Sequence, residues 1–289
     1  MDGHPTAAGS ATGAAERWRA LVRARLDQLD QLAPGRGALG AAFWDSRAPR
    51  FAAQTCGTGG RDPFLRLLRP AVGHRTTVLD VGAGAGRFAL PLAARARQVV
   101  AVDPSRQMLA ILQREARRQG LDNVRCLLGR WEDVDPGPAD VALCSYVLPL
   151  VEDAPSFLRK LDAAAHRRVF VYLPAASTDL LMDPLWRHFH GEPRRLGPTY
   201  LDAVAVLAEL GIQPRVQVVE APVVTRFASL RQAVEGYRDV LVLPDTVVVR
   251  RELRALLSDW LVGKQPALRP PLRSAPGAVL SWARAEPAS

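Results

Sequence analysis

Val78-Leu79-Asp80-Val81-Gly82-Ala83-Gly84-Ala85-Gly86 decides the fold of this chain. Its first half extends an apolar, β-branched run that begins at Thr77 and reads as a buried strand ending at Val81. Its second half puts glycine at 82, 84 and 86, so no Cβ stands where the chain turns sharply and a ligand touches backbone. A helix carrying Phe88, Leu90 and Leu92 follows from near Arg87. About 20 residues on, a second apolar strand, Gln98-Val99-Val100-Ala101-Val102, ends in Asp103. This layout is the nucleotide-binding half of a doubly wound α/β sheet, with the acid placed for ribose hydroxyls.

Position 87 narrows the ligand. A dinucleotide fingerprint takes a third glycine there, where helix and strand pack closely and the helix N-terminus accepts a pyrophosphate. This chain has Arg87 and offers instead acid-x-Gly-x-Gly-x-Gly from Asp80 to Gly86. An acid at the strand end suits a ligand with an ammonium group and no phosphate at that point. In this motif the chain resembles the class I S-adenosylmethionine-dependent methyltransferases, over roughly residues 76–175 and more weakly to the C-terminus. The segment Phe43-Trp44-Asp45 with Arg47-Ala48 is similar to segments that precede the first strand in many of them.

The resemblance implies S-adenosylmethionine as cofactor and a seven-stranded, mostly parallel sheet whose last strand is antiparallel. It implies that Asp80 holds the methionine ammonium, that Gly82, Gly84 and Gly86 admit the methionine and ribose, and that Asp103 accepts from both ribose hydroxyls. The plainer reading makes both acids helix caps and the glycines turn-formers only. After strand three, Gly129-Arg130-Trp131-Glu132-Asp133 is the turn that meets adenine in the family, with Trp131 on the ring face and Glu132 beside the amino group. The alternatives are a packing aromatic and a capping acid.

Strand four, Ala139 to Ser145, ends beside the expected methyl group, because open α/β sheets bind ligands outside the carboxyl ends of their strands. Ser145 and Tyr146 therefore border cofactor and acceptor. The Asn/Asp-Pro-Pro-Tyr pattern of enzymes that methylate bases and glutamine amides is missing here, which argues against those targets. Cys144 reads as a packing residue.

Composition bounds the rest. With 289 residues and 48% hydrophobic content the chain buries a sizeable core. No uncharged apolar run reaches the ~20 residues of a membrane helix, and no apolar leader follows Asp2 and His4. Cys56, Cys126 and Cys144 are far apart and show no metal spacing, so they read as reduced thiols of a cytoplasmic protein without a metal site. The net charge of +9 invites nucleic acid, but only Lys160 and Lys264 are lysines and the arginines fall in scattered groups on helix faces. Nucleic acid and membrane are accordingly not the expected partners.

Three regions are expected. Residues 1–14 form a disordered tail and residues 15–70 an N-terminal helical segment. Residues 71–289 form the cofactor-binding domain, with a helical insert at about 225–265 before the last strand. Strands are expected at 124–128, 139–145, 168–173, 216–224 and 278–282, and helices at 87–96, 103–119, 153–165, 199–210, 230–241 and 246–261. Residues 175–198 are too long for a plain connection and carry Trp186, His188, Phe189 and His190 among five turn-formers. Trp186, His188, His190 and Tyr200 are expected to face the methyl group as the acceptor wall, with the 225–265 helices closing over them. The base candidates are His188, His190, Tyr146 and Tyr200. The expected function is methyl transfer to a small molecule through an O, N or carboxylate nucleophile. An RNA methyltransferase is the alternative, and a non-catalytic cofactor-binding scaffold stands third.

Overall fold

The computed structural model describes residues 13–35, 40–55, 58, 60, 62–176 and 178–284. Residues 1–12 of the expected tail and Cys56 lie outside the described residues, while Ala14 already opens the first helix. The strands are β1 Thr77–Val81, β2 Gln98–Asp103, β3 Val124–Leu128, β4 Ala139–Ser145, β5 Ala165–Pro174, β6 Arg215–Pro222 and β7 Ser274–Ala283. They form one sheet in the order β3-β2-β1-β4-β5-β7-β6. β1 to β5 pair in parallel, and β7 runs antiparallel between β5 and β6. The glycine turn predicts the doubly wound parallel part of this sheet, and the reversed last strand is the one the family resemblance implies.

The helices are α1 Ala14–Leu32, α2 Ala41–Thr55, α3 Pro63–Leu68, α4 Ala89–Ala93, α5 Arg106–Arg118, α6 Ala154–Ala163, α7 Asp183–His190, α8 Tyr200–Glu209, α9 Leu230–Val240 and α10 Val247–Trp260. Strand side chains alternate between two apolar layers, as a period of two requires. Leu79, Val81, Val102, Cys144, Val171 and Leu280 face the layer of α1, α6 and α8. Val78, Val99, Ala101, Leu143, Phe170 and Val279 face the layer of α3, α4 and α5. A third cluster joins α7, α9 and α10 around Trp186, Tyr237, Leu253 and Leu257.

Two elements differ from expectation. The helix after the glycine turn spans only Ala89–Ala93, because Gly86 to Phe88 still belong to the turn. Residues 175–198 contain the regular helix α7, preceded by a short 3-10 segment at 178–182. Two of the turn-formers there act at the ends of this helix. Pro184 lies in the first turn, where its missing N–H is not needed, and Gly191 closes the helix at φ +73°.

Candidate functional site

The glycine turn is pinned to the neighbouring strand. Val102 O accepts from Gly82 N at 2.8 Å and Ala83 N at 3.1 Å, and Gly84 N donates to Asp103 Oδ2 at 2.8 Å. Glycine is required twice over at 82. Its φ is +74°, and a Cβ there would stand 2.1 Å from Val147 Cγ2. At Gly86, φ is +89° and a Cβ would meet Leu90 Cγ at 2.9 Å. Helix α2 lies over the turn, with Ala48 and Ala52 packed against Ala85 and Met108, and Phe51 beside Gly84. Asp45 of α2 fastens this cover by accepting from Ser105 Oγ at 2.6 Å and Gln107 N at 3.0 Å, bonds that hold its own pKa below the usual range.

Two carboxylates stand beneath. Asp103 accepts from Gly84 N and, through Oδ1, from Ser105 N at 2.8 Å. Burial raises its pKa, with those two bonds opposing the shift. Asp80, at the end of β1, is 2% exposed and takes one bond from Ala89 N. Burial, and then the charge of Asp103, push its pKa up to about 7. Among the described residues no cation is paired with either acid. Buried like charges without a counter-ion are costly. This pair of acceptors fits a ligand that brings its own positive charge and hydroxyl donors, and S-adenosylmethionine has both. Asp80 would meet the ammonium and Asp103 the ribose.

The expected adenine contacts are corrected in part. Trp131 is buried in the core, where its indole N–H donates to Phe157 O at 3.3 Å and Lys160 Nζ sits 4.7 Å from the ring centroid. Its faces are taken by protein, so it does not lie open beside a ligand. Glu132 stays at the surface, 3.5 Å from Arg130. Ser145 is half-buried at the end of β4. Cys144 is buried and its thiol is pushed up to about 12, which keeps it a packing residue.

The expected acceptor wall is not assembled. Trp186 is fully buried, with the His190 ring tilted against it at 4.5 Å between centroids and Arg194 4.7 Å from its ring. His190 Nε2 donates to Leu241 O at 2.7 Å. His188 turns to the surface and pairs with Glu252 of α10 at 2.8 Å. Tyr200 packs against the α1–α8 layer. The amphipathic period of α7 directs its apolar face, with Leu185 and Trp186, into the α9–α10 cluster.

A cavity of about 820 Å³ lies elsewhere along the carboxyl edge of the sheet. Tyr146 after β4, Ala176 after β5, Pro222 at the end of β6 and Ala275 at the start of β7 mark that edge, and Arg87 borders the cavity from the glycine turn. Asp80, Asp103 and the three glycines do not line it. Of the expected catalytic and acceptor residues only Tyr146 does. Tyr146 is held at φ +61°, an unusual value for an aromatic residue, by its N–H to Tyr172 O at 2.8 Å and by ring contact with Tyr172 at 4.9 Å. Burial raises its pKa.

The sequence reading missed α2 as a wall. Phe43, Arg47, Arg50, Phe51 and Gln54 all line the cavity. Their spacing puts them on one helix face, and this stripe of aromatics and arginines was the signal available.

Comparison with known proteins follows the same division. Residues 78–166 match the family described as a methyltransferase domain. An uncharacterised protein of Haemophilus influenzae is 32% identical over 61% of this chain and 66% of its own. A ubiquinone biosynthesis O-methyltransferase of Chromobacterium violaceum is 30% identical over 47% of this chain and 65% of its own. A 23S rRNA (uracil(1939)-C(5))-methyltransferase of Aeromonas salmonicida is 50% identical, over only 17% of this chain and 11% of its own. The chain thus spans less than two thirds of the length of these curated relatives. The crystal structure of magnesium protoporphyrin IX methyltransferase from Synechocystis with bound SAH shares the fold, with a TM-score of 0.51 at 16% identity over 82% of this chain and 85% of that one. Residues 78–166 match a methyltransferase domain, and the seven-stranded sheet that contains them has the fold of the methyltransferase structure it resembles.

Proposed function

We propose that this protein transfers the methyl group of S-adenosylmethionine to a small molecule held in the cavity at the carboxyl edge of the sheet. The observation that carries this reading is the cavity itself. It is about 820 Å³ and mainly apolar, it abuts the glycine turn at Arg87, and elements added to the sheet border it. Residues 71–289 act as the cofactor-binding unit, with 15–70 as its cover and the insert at 225–265 as a further wall. The arginines that border Tyr146 line a cavity rather than an open face. This favours a small acceptor over the RNA alternative, whose backbone needs a continuous basic surface. No helix of the described residues is long and apolar enough to cross a membrane. We place the reaction in the cytoplasm, where Cys126 and Cys144 stay as thiols.

When bound, the cofactor supplies an electrophilic methyl group on sulfur, and the protein supplies position and a dry site. Asp80 balances the ammonium and Asp103 fixes the ribose. The Tyr146 hydroxyl stays protonated at neutral pH, so it donates a hydrogen bond to the acceptor rather than taking its proton. Neither His188 nor His190 borders the cavity, so neither serves as base.

Two measurements test this. Titration calorimetry with S-adenosylmethionine and S-adenosylhomocysteine should give saturable binding; none at millimolar ligand sinks the reading. Label from methyl-labelled cofactor should pass to a metabolite extract and not to RNA. Transfer to RNA with steep salt dependence would favour the alternative.

A further inference from the structure

Taking the methyltransferase reading as its basis, we infer that the acceptor is an amphiphilic anion, an apolar molecule whose single acid group is received by Arg50 and its neighbour Arg47. The composition of the cavity lining leads there. Aliphatic and aromatic side chains dominate it, yet its charged members are five arginines (25, 47, 50, 87 and 194) against one carboxylate, Asp239. Arg87 is answered by the buried Asp62 at 2.5 Å.

The α2 face is different. Arg47 and Arg50 are three residues apart and both reach Asp239 of α9, which divides its two oxygens between them. Arg50 spends one hydrogen bond there, Nη2 to Oδ2 at 2.8 Å, and makes no other among the described residues. A guanidinium has five N–H donors in a planar fork that matches a carboxylate or phosphate. The Arg50 side chain is 33% exposed, enough for a ligand to reach the remaining donors.

The surroundings decide between a neutral and an anionic ligand. A neutral apolar acceptor would strip water from the Arg50 guanidinium and give its idle donors nothing in return. An anion removes that penalty, and the apolar walls strengthen the attraction by lowering the local dielectric. The placement suits a two-ended molecule. Arg47, Arg50 and Asp239 also border a smaller polar cleft of about 240 Å³ with Ser46, Glu235 and Arg238. The acid end therefore sits beside wet, charged surface, and the apolar body extends towards Tyr146 and the sheet edge.

The test uses the full chain saturated with S-adenosylhomocysteine, with decanoate and decan-1-ol as a matched pair of probes in titration calorimetry. Decanoate should bind at least tenfold more tightly than decanol, and added salt should weaken only decanoate. Arg50→Gln should erase the preference while leaving decanol within about threefold, and Arg50→Lys should restore part of it. Equal affinities, a preference that survives in the Arg47→Gln, Arg50→Gln double variant, or no binding of either probe at millimolar concentration would overturn the proposal. Each variant is titrated with S-adenosylhomocysteine first. Loss of that binding in the variant alone reports a folding defect, and Arg50→Ala then replaces it. Absence of that binding in the wild-type chain defeats the methyltransferase reading instead, so the two failures are distinguishable.

Discussion

The glycine turn and the cavity at the sheet edge are held by different physics. Around the glycine turn, position comes from backbone: three glycines with positive φ, N–H groups tied to Val102 O, and two acids at consecutive strand ends. In the cavity, position comes from side chains that α2, α9 and the residues after β5 and β6 bring from distant parts of the chain. A backbone device needs particular residues at fixed spacing and so leaves a local signature. A side-chain cavity needs only apolar volume and a few polar anchors, which many sequences supply.

The comparison is most sharply broken at Trp186. If that ring is core, Trp186→Ala should cost ~3–5 kcal/mol of stability through the cavity it leaves, while S-adenosylhomocysteine binding to the folded fraction stays within about threefold. Urea unfolding and calorimetry give the two numbers. Wild-type stability with lost turnover would return Trp186 to the acceptor site.

Asp103 tests the other end. Asp103→Ala should lower cofactor affinity at least tenfold, since charge-assisted bonds to two ribose hydroxyls are worth ~1.5–3 kcal/mol each. The structure adds a second effect. Gly84 N and Ser105 N lose their acceptor, so stability should also fall, by ~1–3 kcal/mol. Unchanged affinity would mean the ribose is held elsewhere.

Asp80 gives a smaller, graded effect. Its carboxyl has a folded pKa of about 7 against an ordinary 3.8, so the free folded chain holds a proton that the unfolded chain releases. Stability of the free protein should therefore drop as pH rises through that window, because ionising the buried group is what costs. A ligand ammonium beside the carboxylate reverses the preference. S-adenosylhomocysteine affinity should rise with pH, by up to about tenfold per unit, and level off above 7. Calorimetry between pH 5.5 and 8.5 measures it, with Asp80→Asn flattening the curve. A flat wild-type curve would show that Asp80 is already ionised, or is not at the ammonium.

How much the sequence revealed follows the same divide. The strands β1 to β5, the turn and the acids Asp80 and Asp103 were legible because spacing alone places them. The helices α9 and α10 were legible from the apolar period of 230–241 and 246–261. The acceptor wall was misread because aromatics and histidines between turn-formers suggested a loop, whereas Pro184 and Gly191 cap a helix whose apolar face has a partner in α9 and α10. The cavity wall on α2 carries Phe43, Arg47, Arg50 and Phe51 at helical spacing. It was passed over because only the fold tells which face of a helix looks into a cavity and which into solvent.

His188 carries the smallest expected effect and separates the two readings of α7 most cleanly. In the structure its ring pairs with Glu252 across α7 and α10, with both side chains more than 40% exposed. Exposed pairs of this kind contribute ~0–1 kcal/mol, since water screens them and two long side chains lose freedom to meet. A catalytic base behaves differently, because its loss removes the proton acceptor in the rate-limiting step and lowers turnover by ~10²–10⁴-fold. His188→Ala should thus leave both cofactor affinity and turnover of the acceptor within about twofold, with unfolding shifted by less than about 1 kcal/mol. His188→Gln, which keeps a hydrogen bond to Glu252 without a titratable ring, should be indistinguishable from wild type. A hundredfold loss of turnover in both variants, with binding intact, would place His188 at the reacting atoms and require α7 to swing towards the cavity during the reaction.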